Sequence, residues 1–271
     1  MDIALAGWSI HRRFRREHDP LKLLDYPRLA VEEFEINKIE LNSPFFLYEN
    51  QAQQATSAIA ASYLKQLKAA ADAAGVQIVG IAVDGHGNLG SVDPAERKQA
   101  VENHRKWFDI CQVLGCGAFR ANSGGHGNQS TPEEIGGSTE SFAQLAKWAE
   151  AAGINVLMEN HWGISVNPDT MVQIITAVSS RNFGALADFG NFPDEYRLEG
   201  LRKIAPHTKF VHAKFLEFDA DGEDRRINGR ACIEIFKKAN YRGLFGIEFE
   251  GKGDDHEGVV RSKALLQRYA Y

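Results

Sequence analysis

The chain has 271 residues, 44% of them hydrophobic, and a formal net charge of −5. That length supplies a full core for one large domain, and the acidic balance argues against broad electrostatic binding to nucleic acid or to an anionic membrane surface. The cysteines, Cys111, Cys116 and Cys232, are odd in number and lack CxxC spacing, so neither a disulfide framework nor a structural zinc site is indicated.

No basic segment leading into an apolar signal core is seen, and no apolar run reaches about 18 residues, so a cytoplasmic protein is expected. One basic run, residues 11–16 (HRRFRR), stands apart. It reads as a solvated loop, with contact to an anionic substrate or phosphate as the other reading.

Residues 3–8 (IALAGW) are the first predicted strand. Residues 21–37 space Leu23, Leu24, Leu29, Val31 and Phe34 so that a helix is expected over the second half. Lys38–Asn42 (KIELN) is the second strand, with Glu40 inside it and Asn42 at its tip. Residues 57–74 set Leu64, Leu67 and Ala71 at helical spacing and stop at Gly75. Residues 76–83 (VQIVGIAV) are the third strand, ending at Asp84, Gly85 and His86.

Asp93 and Pro94 supply an N-cap acid and a proline at the first helical position, so a helix starts there and runs to about Leu114. Ala118–Ala121 (AFRA) is the fourth strand, followed by Asn122 and a glycine-rich loop expected through Gly137. A helix over 140–152 puts Phe142, Leu145, Ala146 and Ala149 on one face and ends at Gly153. Residues 154–159 (INVLME) are the fifth strand: an apolar run that stops in Glu159, with Asn160, His161 and Trp162 directly after it. Asn167, Pro168 and Asp169 open a helix over 170–178, and 184–187 lead into Asp188 as strand six. A short helix over 198–204 precedes strand seven, 209–214 (KFVHAK), which carries His212. A helix over 231–239 leads to strand eight, 243–249 (GLFGIEF), carrying Glu248, and a last helix covers 258–271.

Eight strands, each followed by a helix, at about 34 residues per unit, predict an α/β fold: a single (β/α)8 TIM barrel domain spanning 1–271. The competing doubly wound sheet should carry a glycine-rich phosphate loop, and neither GxGxxG nor GxxxxGK[ST] occurs. In such barrels the working site lies at the C-terminal strand ends. Glu159, Asp188, His212 and Glu248 fall there on consecutive strands, 29, 24 and 36 residues apart. A lone acid at a strand end is usually a cap, and a lone histidine in KFVHAK would usually be a hydrogen-bonded core group. Four such groups on adjacent strands are not explained that way. Three carboxylates around one point repel unless a cation neutralises them, and carboxylates with one imidazole suit Mn²⁺, Mg²⁺, Co²⁺ or Zn²⁺.

The motifs MEN, ALADFGN, FVHAK and GIEFEG resemble the Glu-Asp-His-Glu metal set of the xylose isomerase-like TIM barrels, together with IELN of strand two and RANSGG after strand four. That superfamily holds sugar isomerases and epimerases, inosose and dehydroshikimate dehydratases, and endonuclease IV-type enzymes. The resemblance implies that Glu159, Asp188, His212 and Glu248 bind one divalent ion and that Glu159 and Glu248 are placed for proton transfer. An enediolate, formed when a proton leaves a carbon beside a sugar carbonyl, is stabilised by such an ion. Paired glutamates on opposite faces of the substrate would give epimerisation. A base on one face would give aldose–ketose isomerisation or, with a leaving group, elimination.

The expected function is therefore a divalent-metal-dependent isomerase or epimerase of a sugar, keto-sugar or sugar phosphate. A lyase on the same scaffold, such as a keto-polyol dehydratase or an enzyme eliminating from a 3-keto sugar, is the alternative. An endonuclease IV-type repair enzyme would need a basic face and further histidine ligands, and a metal-free binding protein would leave the four-residue set unexplained. The expected partner is a small carbohydrate, with no nucleic acid or membrane; homo-oligomers are common among barrels of this size, but no surface patch marks one here. Candidate substrate contacts are His161, Trp162, Lys214, His86, Asn122 and Arg120. Lys214 alternates with His212 and so points the same way. Glu40 is expected to support the barrel interior or reach the substrate rim, and Glu250 to stand behind Glu248 or at the surface. One departure stands out: ketose 3-epimerases show D-T-x-H on strand six, and the histidine position here is Asn191, which puts a free-ketohexose epimerase in doubt.

Overall fold

The strands pair in parallel and in chain order, and the eighth returns to the first, so that the sheet closes into a barrel. The structure is a computed structural model and describes residues 1–270. In order, the elements are β1 (Asp2–Ala6), α1 (His11–Phe14), α2 (Tyr26–Phe34), β2 (Lys38–Asn42), α3 (Ala61–Ala73), β3 (Gln77–Ala82), α4 (Pro94–Leu114), β4 (Ala118–Ala121), α5 (Pro132–Ala152), β5 (Asn155–Glu159), α6 (Pro168–Val178), β6 (Phe183–Asp188), α7 (Arg197–Ile204), β7 (Thr208–Phe215), α8 (Gly229–Lys238), β8 (Leu244–Phe249) and α9 (Asp255–Arg268). The closed eight-stranded barrel expected from the alternating pattern is the fold observed.

Strands buried on both faces explain the near-continuous apolar runs: every residue of β6 is buried. One face packs outward against the helices in a single large cluster that includes Trp107, Phe119, Phe142 and Phe245. The other face points to the axis, where Ala4, Val79, Leu157, Leu186 and Phe210 make a separate apolar plug.

Several element boundaries differ from expectation, among them α3, which begins at Ala61 rather than near residue 57. The first strand ends at Ala6, because Gly7–Ile10 turn into a 3₁₀ helix, from which the Trp8 indole N–H donates to Glu250 at 2.8 Å. The loop expected through Gly137 is helical from Pro132. Thr131 and Glu134 form a reciprocal capping box, which offsets the helix-breaking tendency of Gly136 and Gly137. Gly137 is useful there, since a Cβ would come within 3.1 Å of Arg97 and 3.2 Å of the Ser91 carbonyl. The last helix begins at Asp255, capped by Asp254, and ends at Arg268; the expected end at Tyr271 lies outside the described residues. Among the described residues no helix is long and apolar enough to cross a membrane.

Candidate metal centre

A two-residue step carries each strand from the apolar plug into a polar layer. Leu157 leads to Glu159 on β5, Leu186 to Asp188 on β6, and Phe210 to His212 and then Lys214 on β7. Asp188 lies beside His212 in the β6–β7 register, and Lys214 beside Glu248 in the β7–β8 register. On β8 the plug position is Gly246, where a Cβ would stand 2.9 Å from the Phe210 ring and 3.5 Å from the His212 ring. Its missing side chain leaves the space that the imidazole occupies.

Glu159, Asp188, His212 and Glu248 are all buried, and one ligand atom from each lies within 4.8 Å of the others. The His212 Nδ1 faces the carboxylates, at 3.2 Å from Glu159 Oε1, 3.5 Å from Glu248 Oε1 and 4.0 Å from Asp188 Oδ2. Its Nε2 sits 2.8 Å from Glu40 Oε2. With the Nε2 proton donated to Glu40, Nδ1 is the nitrogen left for a cation.

The supporting contacts leave oxygens free in the same space. Asp188 Oδ1 accepts the backbone N–H groups of Gly190 and Asn191, each at 2.8 Å. The Asn160 side chain locks the strand end, accepting from Asp188 N at 2.7 Å and donating to its carbonyl at 3.0 Å. Among the described residues, Asp188 Oδ2, Glu159 Oε2 and Glu248 Oε2 are buried without a hydrogen-bond partner. They meet only nearby charge: Arg120 Nε lies 3.0 Å from Glu159 Oε2, while Lys214 Nζ lies 2.9 Å from Glu248 Oε2 and 3.5 Å from Asp188 Oδ2. Three buried carboxylates plus one imidazole, this close together, fit a hard or borderline divalent ion at ordinary ligand distances of about 2.0–2.6 Å.

Burial raises every carboxyl here, and neighbouring charge decides which stay raised. Burial leaves Asp188 well above the ordinary carboxylate range, because Glu248 and Glu159 add to it and Lys214 does not fully offset them. Burial also works against ionised Glu159, but Arg120, His161 and His212 outweigh it and hold that carboxyl well down. Glu248 is lowered against its burial by Lys214 and His212. Burial would discharge His212, yet Glu40 and Glu248 push it well above the usual imidazole range. Both glutamates are thus held as carboxylates.

The structure divides the candidate substrate contacts. Arg120 is buried and spends its donors on the protein: Asp84 at 2.5 Å, the Val83 carbonyl at 3.0 Å and Asn122 at 3.1 Å, besides Glu159. Lys214 spans Glu248, Glu250 at 3.1 Å and Asn191 at 2.8 Å. His86, Asn122 and Trp162 come together around a cavity of about 290 Å³ beside the Glu159 side of the mouth, with His104 at its back. His161 reaches that edge, its Nδ1 3.3 Å from Asn122 Oδ1. Trp162 is 45% exposed, a flat apolar face at the rim.

Some site groups take roles that the sequence does not spell out. Glu40 orients His212 from 172 positions away. Asn191, notable only as a departure, donates to Glu159 at 3.2 Å and accepts from Lys214, tying the two charges together. Asp84 anchors Arg120. His104 had one signal, a polar residue on the apolar face of α4 with Val101, Trp107 and Phe108.

Comparison with known proteins agrees with this architecture. A structure described as a D-tagatose 3-epimerase-like protein superposes with a TM-score of 0.74 at 18% identity, over 99% of this chain and 97% of that one. The 3-keto-D-glucoside 4-epimerase of E. coli superposes at 0.72 and 14% identity, over 99% of both chains. A xylose isomerase-like TIM barrel protein from Mycobacterium smegmatis, in complex with magnesium, superposes at 0.72 and 18% identity, over 98% of this chain and 95% of that one. At these identities the likeness is one of fold. The C-glycoside deglycosidase alpha subunit of Microbacterium trichothecenolyticum is 34% identical over 55 residues, which is 20% of this chain and spans only 15% of that protein's length. The sequence profile of the xylose isomerase-like TIM barrels matches residues 38–269, and the chain belongs to that family.

Proposed function

We propose that the protein is a divalent-metal-dependent isomerase or epimerase of a sugar, keto-sugar or sugar phosphate. The observation that carries this reading is the buried cluster of Glu159, Asp188 and Glu248 carboxylates around His212 Nδ1, with one ligand atom of each within 4.8 Å of the others. In this reading Glu159, Asp188, His212 and Glu248 hold one Mn²⁺, Mg²⁺, Co²⁺ or Zn²⁺. When bound, the ion supplies the positive charge that offsets negative charge developing on the substrate's oxygens.

The chain's own residues do the proton work. Glu159 and Glu248 stand on β5 and β8, three strands apart, with the other ligands between them. One takes the proton from the carbon beside the substrate carbonyl, and its electron pair moves toward the carbonyl oxygen. Return of a proton from the other glutamate, on the opposite face, inverts that carbon; return to the neighbouring carbon moves the carbonyl. Glu40 keeps the His212 ring turned, and Arg120 keeps Glu159 ionised as a base. Trp162 and His161 pack or hydrogen-bond the sugar at the rim. Structural neighbours described as sugar epimerases support this class.

A lyase reading has its own support. Asn191 stands where ketose 3-epimerases have histidine, and a segment of 55 residues is 34% identical to a C-glycoside deglycosidase alpha subunit. The same proton abstraction followed by departure of a β-substituent with its bonding electrons is an elimination. The test is to load the protein with Mn²⁺ or Mg²⁺ and follow keto-sugars, polyols and sugar phosphates in D₂O. Deuterium at the carbon beside the carbonyl, without loss of a leaving group, supports the isomerase or epimerase. Deuterium-free substrate, no bound divalent ion, or unchanged turnover in the Glu159→Gln, Glu248→Gln double variant overturns the assignment.

A further inference from the structure

The cavity beside the Glu159 side of the mouth contains a hydrogen-bond acceptor that the protein itself leaves unused. His86 lines the cavity and is 2% exposed. Its Nδ1 donates to the Asp84 carbonyl at 2.7 Å, so the other ring nitrogen, Nε2, carries a lone pair. Among the described residues Nε2 is buried without a hydrogen-bond partner. A buried acceptor with no donor lowers stability, so the group calls for one. A substrate hydroxyl supplies it.

The cavity belongs to the same end of the barrel as the candidate metal centre. Its volume of about 290 Å³ is near the lower end of the usual range for small-molecule sites, about 300–1,000 Å³. Val83, Gly85 and His86 follow β3, Asn122 follows β4 and Trp162 follows β5. Polar groups, and no apolar layer, stand between the cavity and Glu159. Asn122 Oδ1 accepts from Arg120 at 3.1 Å and from His161 Nδ1 at 3.3 Å, and Arg120 Nε lies 3.0 Å from Glu159 Oε2. Asp84, Asn122 and His161 each keep part of their surface in solvent, Asp84 with 29% of its side chain exposed. A sugar whose reacting carbons lie at Glu159 therefore meets hydrogen-bonding groups along this side of the mouth, with the cavity beyond them.

Charge decides which sugars fit there. Among the described residues no lysine or arginine lines the cavity. The two cations whose charge reaches the imidazoles are committed elsewhere. Arg120 is held by Asp84, the Val83 carbonyl, Asn122 and Glu159, and Lys106 donates to the carbonyls of Gln54, Ala55 and Ser57. Burial keeps both rings uncharged, pushing His86 down to about 3 and His104 down to about 4. Burial also works against ionised Asp84, but Arg120 and Asn122 outweigh it, so a carboxylate stands beside the cavity wall. A phosphate, mostly dianionic near neutral pH, would be buried there without a counter-ion, and its oxygens, like Nε2, only accept. A hydroxyl carries no charge and donates.

We infer that the cavity receives the uncharged, hydroxylated end of the substrate, with a hydroxyl donating to His86 Nε2, so that the protein takes free sugars or keto-sugars in preference to sugar phosphates. The inference rests on the carbohydrate reading above and narrows its substrate class.

The test is isothermal titration of the Mg²⁺-loaded full chain with two matched pairs: D-fructose against D-fructose 6-phosphate, and D-xylulose against D-xylulose 5-phosphate. In each pair the free ketose is expected to bind about tenfold tighter or more. His86→Phe keeps a ring against Trp107 and removes the acceptor. It should weaken the free ketoses by about tenfold and leave Mg²⁺ affinity unchanged, while His86→Gln, whose amide oxygen again accepts, recovers part of the loss. Nitrogen-15 spectra of the wild-type imidazoles add a readout that packing alone would not move: the His86 Nε2 resonance should shift when D-fructose is added. A phosphate that binds as tightly as its free ketose overturns the inference. Free-ketose binding that His86→Phe leaves intact, or an Nε2 resonance that does not move, overturns it as well and makes the ring a packing residue. If Mg²⁺ binds and none of the four sugars does, the carbohydrate reading falls and takes the inference with it; if the phosphates bind and the free ketoses do not, only the inference falls.

Discussion

His212 and Glu40 are joined at 2.8 Å between Nε2 and Oε2, both buried, across the barrel from β7 to β2. A carboxylate behind a ligating imidazole fixes the ring's orientation and tautomer and makes its other nitrogen a better donor. Glu40→Ala is therefore expected to weaken divalent-metal binding by about 10–100-fold. Glu40→Gln, whose amide oxygen still accepts the Nε2 proton, should lose less. Titration calorimetry of Mn²⁺ against the three proteins reads this directly. Equal affinities would show that Glu40 is only barrel packing.

Lys214 calls for a different experiment. Its Nζ is within 3.5 Å of Asp188, Glu248 and Glu250, and those carboxylates in turn hold the ammonium well above its usual range despite burial. In the metal-free protein it is the nearest cation to the Asp188–Glu248 side of the cluster. Lys214→Met leaves those charges unpaired, and removing one member of a buried pair typically costs about 3–5 kcal/mol. A bound divalent ion restores most of the missing charge. Melting curves with and without Mn²⁺ should show a lower metal-free Tm in the variant and a larger rise on metal addition than in the wild type. A metal-induced rise of the same size in both proteins would sink the idea that lysine and metal neutralise the same charges.

The candidate ligand set is legible because barrel strands bury both faces, so a charged residue inside an apolar run has few innocent explanations. Glu159, Asp188, His212 and Glu248 each interrupt such a run at a strand end, and the structure brings all four within reach of one ion. What the chain hides is partnership. Glu40 and Asn191 acquire roles only from neighbours that are distant in sequence, and no local pattern encodes that His212 will turn its Nε2 toward β2. Arg120 looked like a group open to substrate because it sits at a strand tip, yet its donors are taken by Asp84, Asn122 and the Val83 carbonyl, and its Nε lies against Glu159. The boundary of α5 differs for a related reason: glycine content favours a loop, while the reciprocal Thr131–Glu134 cap favours a helix start locally and prevails.

His86 and His104 give a pH dependence outside the metal centre. Burial pushes His86 down to about 3 and His104 down to about 4. In the unfolded chain both titrate near about 6.5. Folded values below unfolded ones mean that the unfolded state binds more protons as pH falls. The stability of keeping these rings neutral is complete above about pH 6.5 and is lost progressively on acidification toward pH 4, at roughly 1.4 kcal/mol per pH unit per ring. His104→Leu removes one ring and should flatten the fall in urea midpoint between pH 6.5 and 4.5. The carboxyls of the candidate metal centre are common to both proteins, so the difference between the two slopes reports His104 together with its charge coupling to His86. Parallel slopes would mean that His104 is already charged when folded.

Gly163 links the fold to the rim that carries His161 and Trp162. Its backbone is left-handed, at φ +69°, and a Cβ there would drive into the Gly124 carbonyl of the loop after β4. The next residue confirms the close approach: Ile164 N–H donates to that same carbonyl at 2.8 Å. Ser165 N–H donates to Ser123 Oγ at 3.2 Å, and Asn88 Oδ1 accepts from Gly90 and Gly125 at 3.0 and 3.1 Å, so the loops after β3, β4 and β5 are laced together at their backbones. For a residue with a side chain the left-handed conformation alone costs about 1–2 kcal/mol, and the clash with rigid backbone adds to it. Gly163→Ala should therefore lower the Tm by several degrees, while Mn²⁺ affinity, set by residues on the strands, changes little. Weaker sugar binding is expected alongside, because the loop that accommodates the added methyl group must lift Trp162 away from the rim. A variant with wild-type Tm, or one that loses Mn²⁺ and sugar together, would show that these loops do not position the rim separately from the metal ligands.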